Sequence, residues 1–82
     1  MNMIKENIPN EIYQRPDGHL SKRELDVLIL IKDGLSNPQI AAHLKLSIKT
    51  IENHVRSILQ KLGAKNRTDA VVIAVRKSLI VI

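Results

Sequence analysis

From Leu20 onward the apolar residues of this chain return every three or four positions, and short polar clusters cut the run into segments. That spacing belongs to helices with one buried side. Ser21-Lys22-Arg23-Glu24 opens the first segment as a capping box: the Ser21 hydroxyl accepts from the Glu24 amide, and the Glu24 carboxylate accepts from the Ser21 amide. Leu20 and Leu25 are placed to staple that end together. The segment predicts a helix over 22–33 with Val27, Leu28 and Ile31 facing the core. Gly34 stops it in the left-handed conformation, with Leu35 folded back towards Leu30. Ser36-Asn37-Pro38-Gln39 repeats the cap and predicts a short helix over 37–44, with Ile40, Ala41 and Leu44 on its inner side. After Lys45-Leu46, Ser47 caps a third helix over 48–62. There Ile51, Val55, Ile58, Leu59 and Leu62 form one continuous stripe, and Gly63 ends it with Ala64 turned towards Leu59. Asn66 caps a fourth helix over 67–77. Isoleucine and valine are abundant and favour strands by propensity, but a 3.6-residue period bracketed by paired caps outweighs that. The expected fold class is all-α.

Composition narrows what such a fold does. The chain has 82 residues, room for one small core. It has no Cys, which removes disulfides and thiolate metal sites, and Tyr13 is its sole aromatic residue. Its formal net charge of +5 favours a polyanionic partner. Residues 1–20 hold Lys5 and Arg15 against Glu6, Glu11 and Asp17, so the basic excess belongs wholly to the helical part. Residues 1–19, with Pro9, Pro16 and the turn signal Asp17-Gly18, read as a linker or N-terminal arm ahead of a domain over 20–82. Ile4, Ile8 and Ile12 recur at helical spacing, but Pro9 interrupts them. No apolar run approaches the roughly 18 residues of a membrane helix, and the start lacks a signal peptide's apolar stretch. The expectation is a cytoplasmic protein that does not engage membranes.

Enzyme chemistry finds no footing. His19, His43 and His54 do not share a helical face at metal-ligand spacing. Glycines 18, 34 and 63 are isolated punctuation rather than a phosphate cradle, and no nucleophile sits beside a base. No cofactor, metal or small-molecule ligand is expected.

A short capped helix, a turn of about three residues and a longer helix make a helix-turn-helix. Ala41 is small where the two helices meet, and Leu46 plugs the turn between them. Opposite its apolar stripe, the third helix carries Lys49, Asn53, Arg56 and Gln60 in one row, flanked by Thr50, Glu52 and Ser57. Such side chains suit base edges: Arg pairs bidentately with guanine, Asn or Gln with adenine, and Glu accepts from cytosine. Lys49, in the first turn, suits phosphate. Any surface helix has a polar side; the helix-turn-helix spacing and the basic excess favour readout of double-stranded DNA.

Four stretches carry a more specific resemblance: Leu20-Ser-Lys-Arg-Glu-Leu-Asp-Val-Leu, Gly34-Leu-Ser-Asn-Pro-Gln-Ile-Ala, Leu46-Ser-Ile-Lys-Thr-Ile-Glu-Asn-His and Lys61-Leu-Gly-Ala-Lys-Asn-Arg-Thr-Asp-Ala. Together they resemble the LuxR/FixJ-type DNA-binding domain of bacterial transcription regulators, including NarL-like response regulators, over about residues 20–80. The resemblance implies four helices, with the third in the major groove and the fourth often at a dimer contact. It implies DNA contacts at Lys49, Thr50, Glu52, Asn53 and Arg56, with Asn53 and Arg56 at commonly base-reading positions and His54 near the backbone. Glu52 departs from the family's usual Lys, so it either accepts from a cytosine amino group or points aside. The resemblance also implies a pairing of Glu24 with Arg67 that would tie the first helix to the fourth; cap and surface charge explain the same two residues equally well. The expected role is that of effector domain in a two-component response regulator.

The fourth helix is apolar on two sides, with Ala70, Val71, Ala74 and Ser78 along one and Val72, Val75 and Leu79 along the other. So small a domain does not readily cover both. The expectation is a homodimer through Val72, Val75 and Leu79, with the apolar tail Leu79-Ile80-Val81-Ile82 docked in the same place. A protein-docking module that contacts RNA polymerase or a sensor partner, through Leu25 and Ile29 on the first helix, is the alternative function.

Overall fold

A computed structural model describes residues 19–82, in which four helices follow one another: α1 Lys22–Lys32, α2 Asn37–Leu44, α3 Ile48–Leu62 and α4 Arg67–Arg76. The described residues contain no strand. The all-α expectation holds, and so do all four starts. Two helices end one residue before the predicted 33 and 77, because Asp33 and Lys77 have ψ near zero (1° and 5°) and have already left the helix. Residues 1–18, which include nearly all of the expected arm and Ile4, Ile8 and Ile12, lie outside the described part.

Each helix begins on a side chain that accepts from a backbone amide otherwise without a partner. Ser21 and Ser36 form complete capping boxes with Glu24 and Gln39. Ser47 accepts from Thr50, and Asn66 accepts from Asp69.

Each helix also ends the same way. A left-handed residue reverses the chain, and the next amide bonds back five residues: Leu35 to Leu30, Leu46 to Ala41, Ala64 to Leu59, Leu79 to Ala74, at 2.8–3.1 Å. All four of those returning residues are partly buried against the core. Gly34 and Gly63 take the left-handed position at two ends, as their sequence predicts. Lys45 (φ 60°) and Ser78 (φ 59°) take it at the other two, where no glycine signals it. A left-handed conformation costs a residue with a Cβ about 1 kcal/mol, so packing of Leu46 and Leu79 must offset that strain.

α3 packs against each of the other helices, whereas α2 and α4 do not pack on one another. Ile51 and Ile58 of α3 are fully buried with Val27, Leu28, Ile40, Ala70 and Ala74, and Leu62 and Ala41 complete the centre. Val55 and Leu59 flank the buried line and are half-covered. The tail divides. Ile80 is buried in the chain's own core while Val81 and Ile82 project into solvent, so only part of the apolar end is free for docking. Val75 and Leu79 are likewise half-covered by their own core, which leaves Val72 as the most exposed of the three predicted dimer residues.

Glu24 is the buried charged residue of the described part, 5% exposed. It does not pair with Arg67, which corrects that expectation. Its Oε1 accepts from the Ser21 amide at 2.8 Å and from Lys61 Nζ at 2.9 Å, and its Oε2 accepts from the Ser57 hydroxyl at 2.6 Å. Ser57 and Lys61 stand one turn apart on α3, so the carboxylate bolts the start of α1 to that helix. Arg67 lies near the other end of α1, about 12 Å along the helix from Glu24 at the usual rise per residue. It donates to Leu35 O at 3.0 Å and to Asn37 Oδ1 at 2.8 Å, bridging α4 to the turn before α2.

Burial alone would raise the Glu24 pKa, but the hydrogen bonds from Ser57, Lys61 and Ser21 and the charge of Lys61 together bring it below its ordinary 4.5. A carboxyl with a depressed folded-state pKa contributes stability above its unfolded value and loses it as pH falls through the folded one. Glu24→Gln is expected to cost about 1–3 kcal/mol at pH 7 and to give a shallower loss of stability than the parent below about pH 4.5, measured by denaturant unfolding at both pH values. Lys45→Gly is expected to raise stability by up to about 1 kcal/mol, since it relieves the left-handed strain without removing a buried group. Thermal unfolding of that variant checks it.

Candidate nucleic-acid interface

The burial of one side of α3 fixes what the other side presents. With Ile51, Ile58 and Leu62 turned inward, Lys49, Glu52, Asn53, Arg56 and Gln60 are all exposed along the opposite surface, over a helix about 22 Å long. Thr50 and His54 sit half-buried at its edge. Ser57, which the sequence placed among the flanking polar residues, is drawn away to Glu24 and does not belong to the surface row. The remaining predicted positions therefore share one accessible side.

Two of them already touch. Arg56 Nη1 donates to Asn53 Oδ1 at 3.2 Å, across three residues of the helix. The contact orients the guanidinium and leaves most of its five N–H donors, along with the Asn53 amide group, directed to solvent. At the start of the helix, the Ser47 hydroxyl accepts from the Thr50 amide and donates to Thr50 Oγ1 at 2.9 Å. The Thr50 proton is thereby left for an outside acceptor. Lys49 stands beside it in a first turn with no acidic residue, where the positive end of the helix dipole adds to its charge. Anionic oxygen is favoured at this end, and planar hydrogen-bonding groups are favoured further along.

Glu52 is the one acid of α3 and is exposed on the same side. It makes no ion pair there, since the described ion pairs are Arg23–Asp26, Lys32–Asp33 and Lys61–Glu24. Sequence reasoning passed over Ile48, which belongs to neither the buried stripe nor the polar row and is 46% exposed in the first turn. Its signal was available: an apolar residue one turn before an exposed acid. Among the described residues no cluster of three or more His, Asp or Glu side chains is arranged to hold a metal, and no helix is long and apolar enough to cross a membrane.

Residues 18–74 match the family of bacterial regulatory proteins known as the luxR family. The chain is 45% identical over 64 residues to the transcriptional regulatory protein DegU of Brevibacillus brevis, covering 78% of this chain and 27% of that protein. It is 41% identical over 73 residues to the response regulator protein VraR of Staphylococcus saprophyticus, covering 87% and 35%. Among solved structures it is similar to the response regulator ChrA of a heme-sensing two-component system (TM-score 0.75, 40% identity, 85% of this chain and 35% of that one). It is similar as well to the transcription factor GerE (TM-score 0.69, 34% identity, 72% of this chain and 88% of that one). The chain thus spans about a third of the length of the curated relatives it matches.

Proposed function

Because the chain belongs to the luxR family of bacterial regulatory proteins and is a LuxR-type helix-turn-helix DNA-binding domain, we propose that α3 enters the major groove of double-stranded DNA and reads its sequence to regulate transcription. The observation that carries this reading is the exposed row Lys49–Gln60 on a helix whose opposite side is locked into the core. Asn53 and Arg56 read base edges, and Glu52 accepts from a cytosine amino group. Lys49, Thr50, His54 and Gln60 hold the backbone. The named regulators share this domain, and two of them are response regulators. The chain is accordingly read as residues 20–82 of DNA-binding domain behind a linker, acting in the cytoplasm as the effector part of a two-component response regulator.

α4 supports a homodimer. Val72 is 41% exposed, beside a shallow depression of about 350 Å³ lined by Ile31, Leu35 and Val71. A two-fold axis there would place the two α3 helices in successive major grooves, roughly 34 Å apart. Ile29, 39% exposed on α1, supports a second reading in which this side docks on RNA polymerase or a sensor partner.

Affinity for duplex DNA is expected to fall steeply with added salt as phosphate contacts release counterions; a flat response would favour protein docking instead. Arg56→Ala is expected to cost about 1–3 kcal/mol of binding and to relax preference at one base pair, read from sequences selected out of a random duplex pool by parent and variant. Val72→Glu is expected to abolish cooperative binding to paired half-sites while leaving single half-site affinity nearly intact, measured by gel retardation and sedimentation.

A further inference from the structure

Ile48 is the exposed residue of α3 that neither the buried stripe nor the polar row explains. A lone isoleucine on a surface is ordinary. Its position is not. It stands one turn before Glu52 and two before Arg56, so the three side chains follow one edge of the helix. Helical side chains lean towards the N-terminus, which carries Ile48 past the first turn, to the tip where a recognition helix meets base edges. On the proposed reading of α3, Lys49 and Thr50 beside it hold phosphate, so an apolar group here is flanked by anchoring groups. The first turn holds no acidic residue, although the helix dipole favours one.

The major groove offers one apolar feature among its hydrogen-bonding edges, the C5 methyl group of thymine. Resting on the reading of α3 as the groove-entering helix, we propose that Ile48 is a specificity-determining residue that packs on a thymine methyl. Four residues of helix rise about 6 Å, which sets that thymine one or two base pairs beyond the pair met by Glu52. The β-branch holds the side chain nearly rigid, so little freedom is lost when it packs.

The test begins with the site that the 82-residue chain selects from random duplexes. Each thymine in it is then replaced by deoxyuridine, which removes the methyl group alone. The parent is expected to lose about three- to five-fold in affinity at one thymine per half-site, the effect of one methyl group returned to water. Ile48→Ala is expected to bind the thymine and uracil duplexes equally, and Ile48→Val to keep part of the difference, with circular dichroism reporting that both variants are folded. A flat uracil scan in the parent, or an undiminished uracil penalty in Ile48→Ala, overturns the assignment. If the parent keeps its guanine and adenine preferences in that result, only the Ile48 role fails. If the parent prefers no sequence at all, the proposed DNA readout fails with it.

Discussion

A carboxylate buried between two helices has to be satisfied, and the satisfaction of Glu24 sets the geometry of the rest. Removing such a group from water costs several kcal/mol unless charge and hydrogen bonds replace the lost solvent. Three donors replace it here: the Ser21 amide of its own cap, the Ser57 hydroxyl and the Lys61 ammonium. The first belongs to α1 and the other two to α3, so one side chain couples the start of α1 to the roll of α3 about its axis. That roll decides which residues are free. With Ser57 and Lys61 committed to Glu24, the unclaimed polar side runs through Lys49, Asn53 and Arg56. The side proposed to meet DNA is therefore defined by what the core and the buried carboxylate have already taken.

The turns carry the second constraint. All four helices end in the same chain reversal, closed by an amide that bonds back five residues and sealed by a partly buried side chain. At two ends glycine adopts the left-handed conformation without strain; at the other two, Lys45 and Ser78 adopt it with a Cβ in place. Lys45 sits in the turn between α2 and α3, where Leu46 must fold inward for α3 to lie across α2. Arg67 works at the far side of the molecule, since its bonds to Leu35 O and Asn37 Oδ1 join elements that do not otherwise pack together.

On the proposed reading, α3 offers three kinds of contact from one surface. Its first turn presents positive charge and a free hydroxyl proton, its middle presents the mutually bonded Asn53 and Arg56, and its leading edge presents Ile48 ahead of Glu52. The Asn53–Arg56 bond is long and solvent-facing, so exchanging it for base contacts costs little. On the same proposed reading, Glu52 would oppose the phosphate field unless a cytosine amino group answers it, so the acid would act against wrong sequences as much as attract right ones.

Residue order by itself determined the helix starts, the apolar stripe of α3, the two glycine-ended helices and the exposed row. Each of these depends on groups within about a turn of one another, or on a period that any buried helix must obey. The Lys45 and Ser78 reversals were hidden because no residue type announces them. Tertiary structure alone decided which donors Glu24 would find, since Ser57 and Lys61 lie 33 and 37 residues further along the chain. The family resemblance implied Arg67 as a partner for that carboxylate, yet the length of α1 keeps the two apart. The same holds for the C-terminal tail, where Leu79 to Ile82 are uniformly apolar but Ile80 is buried, Leu79 is half-covered, and Val81 and Ile82 stay in solvent. Local hydrogen bonds are written in the order of residues; a choice among several chemically equivalent partners is made by distance, and distance exists only once the helices have packed.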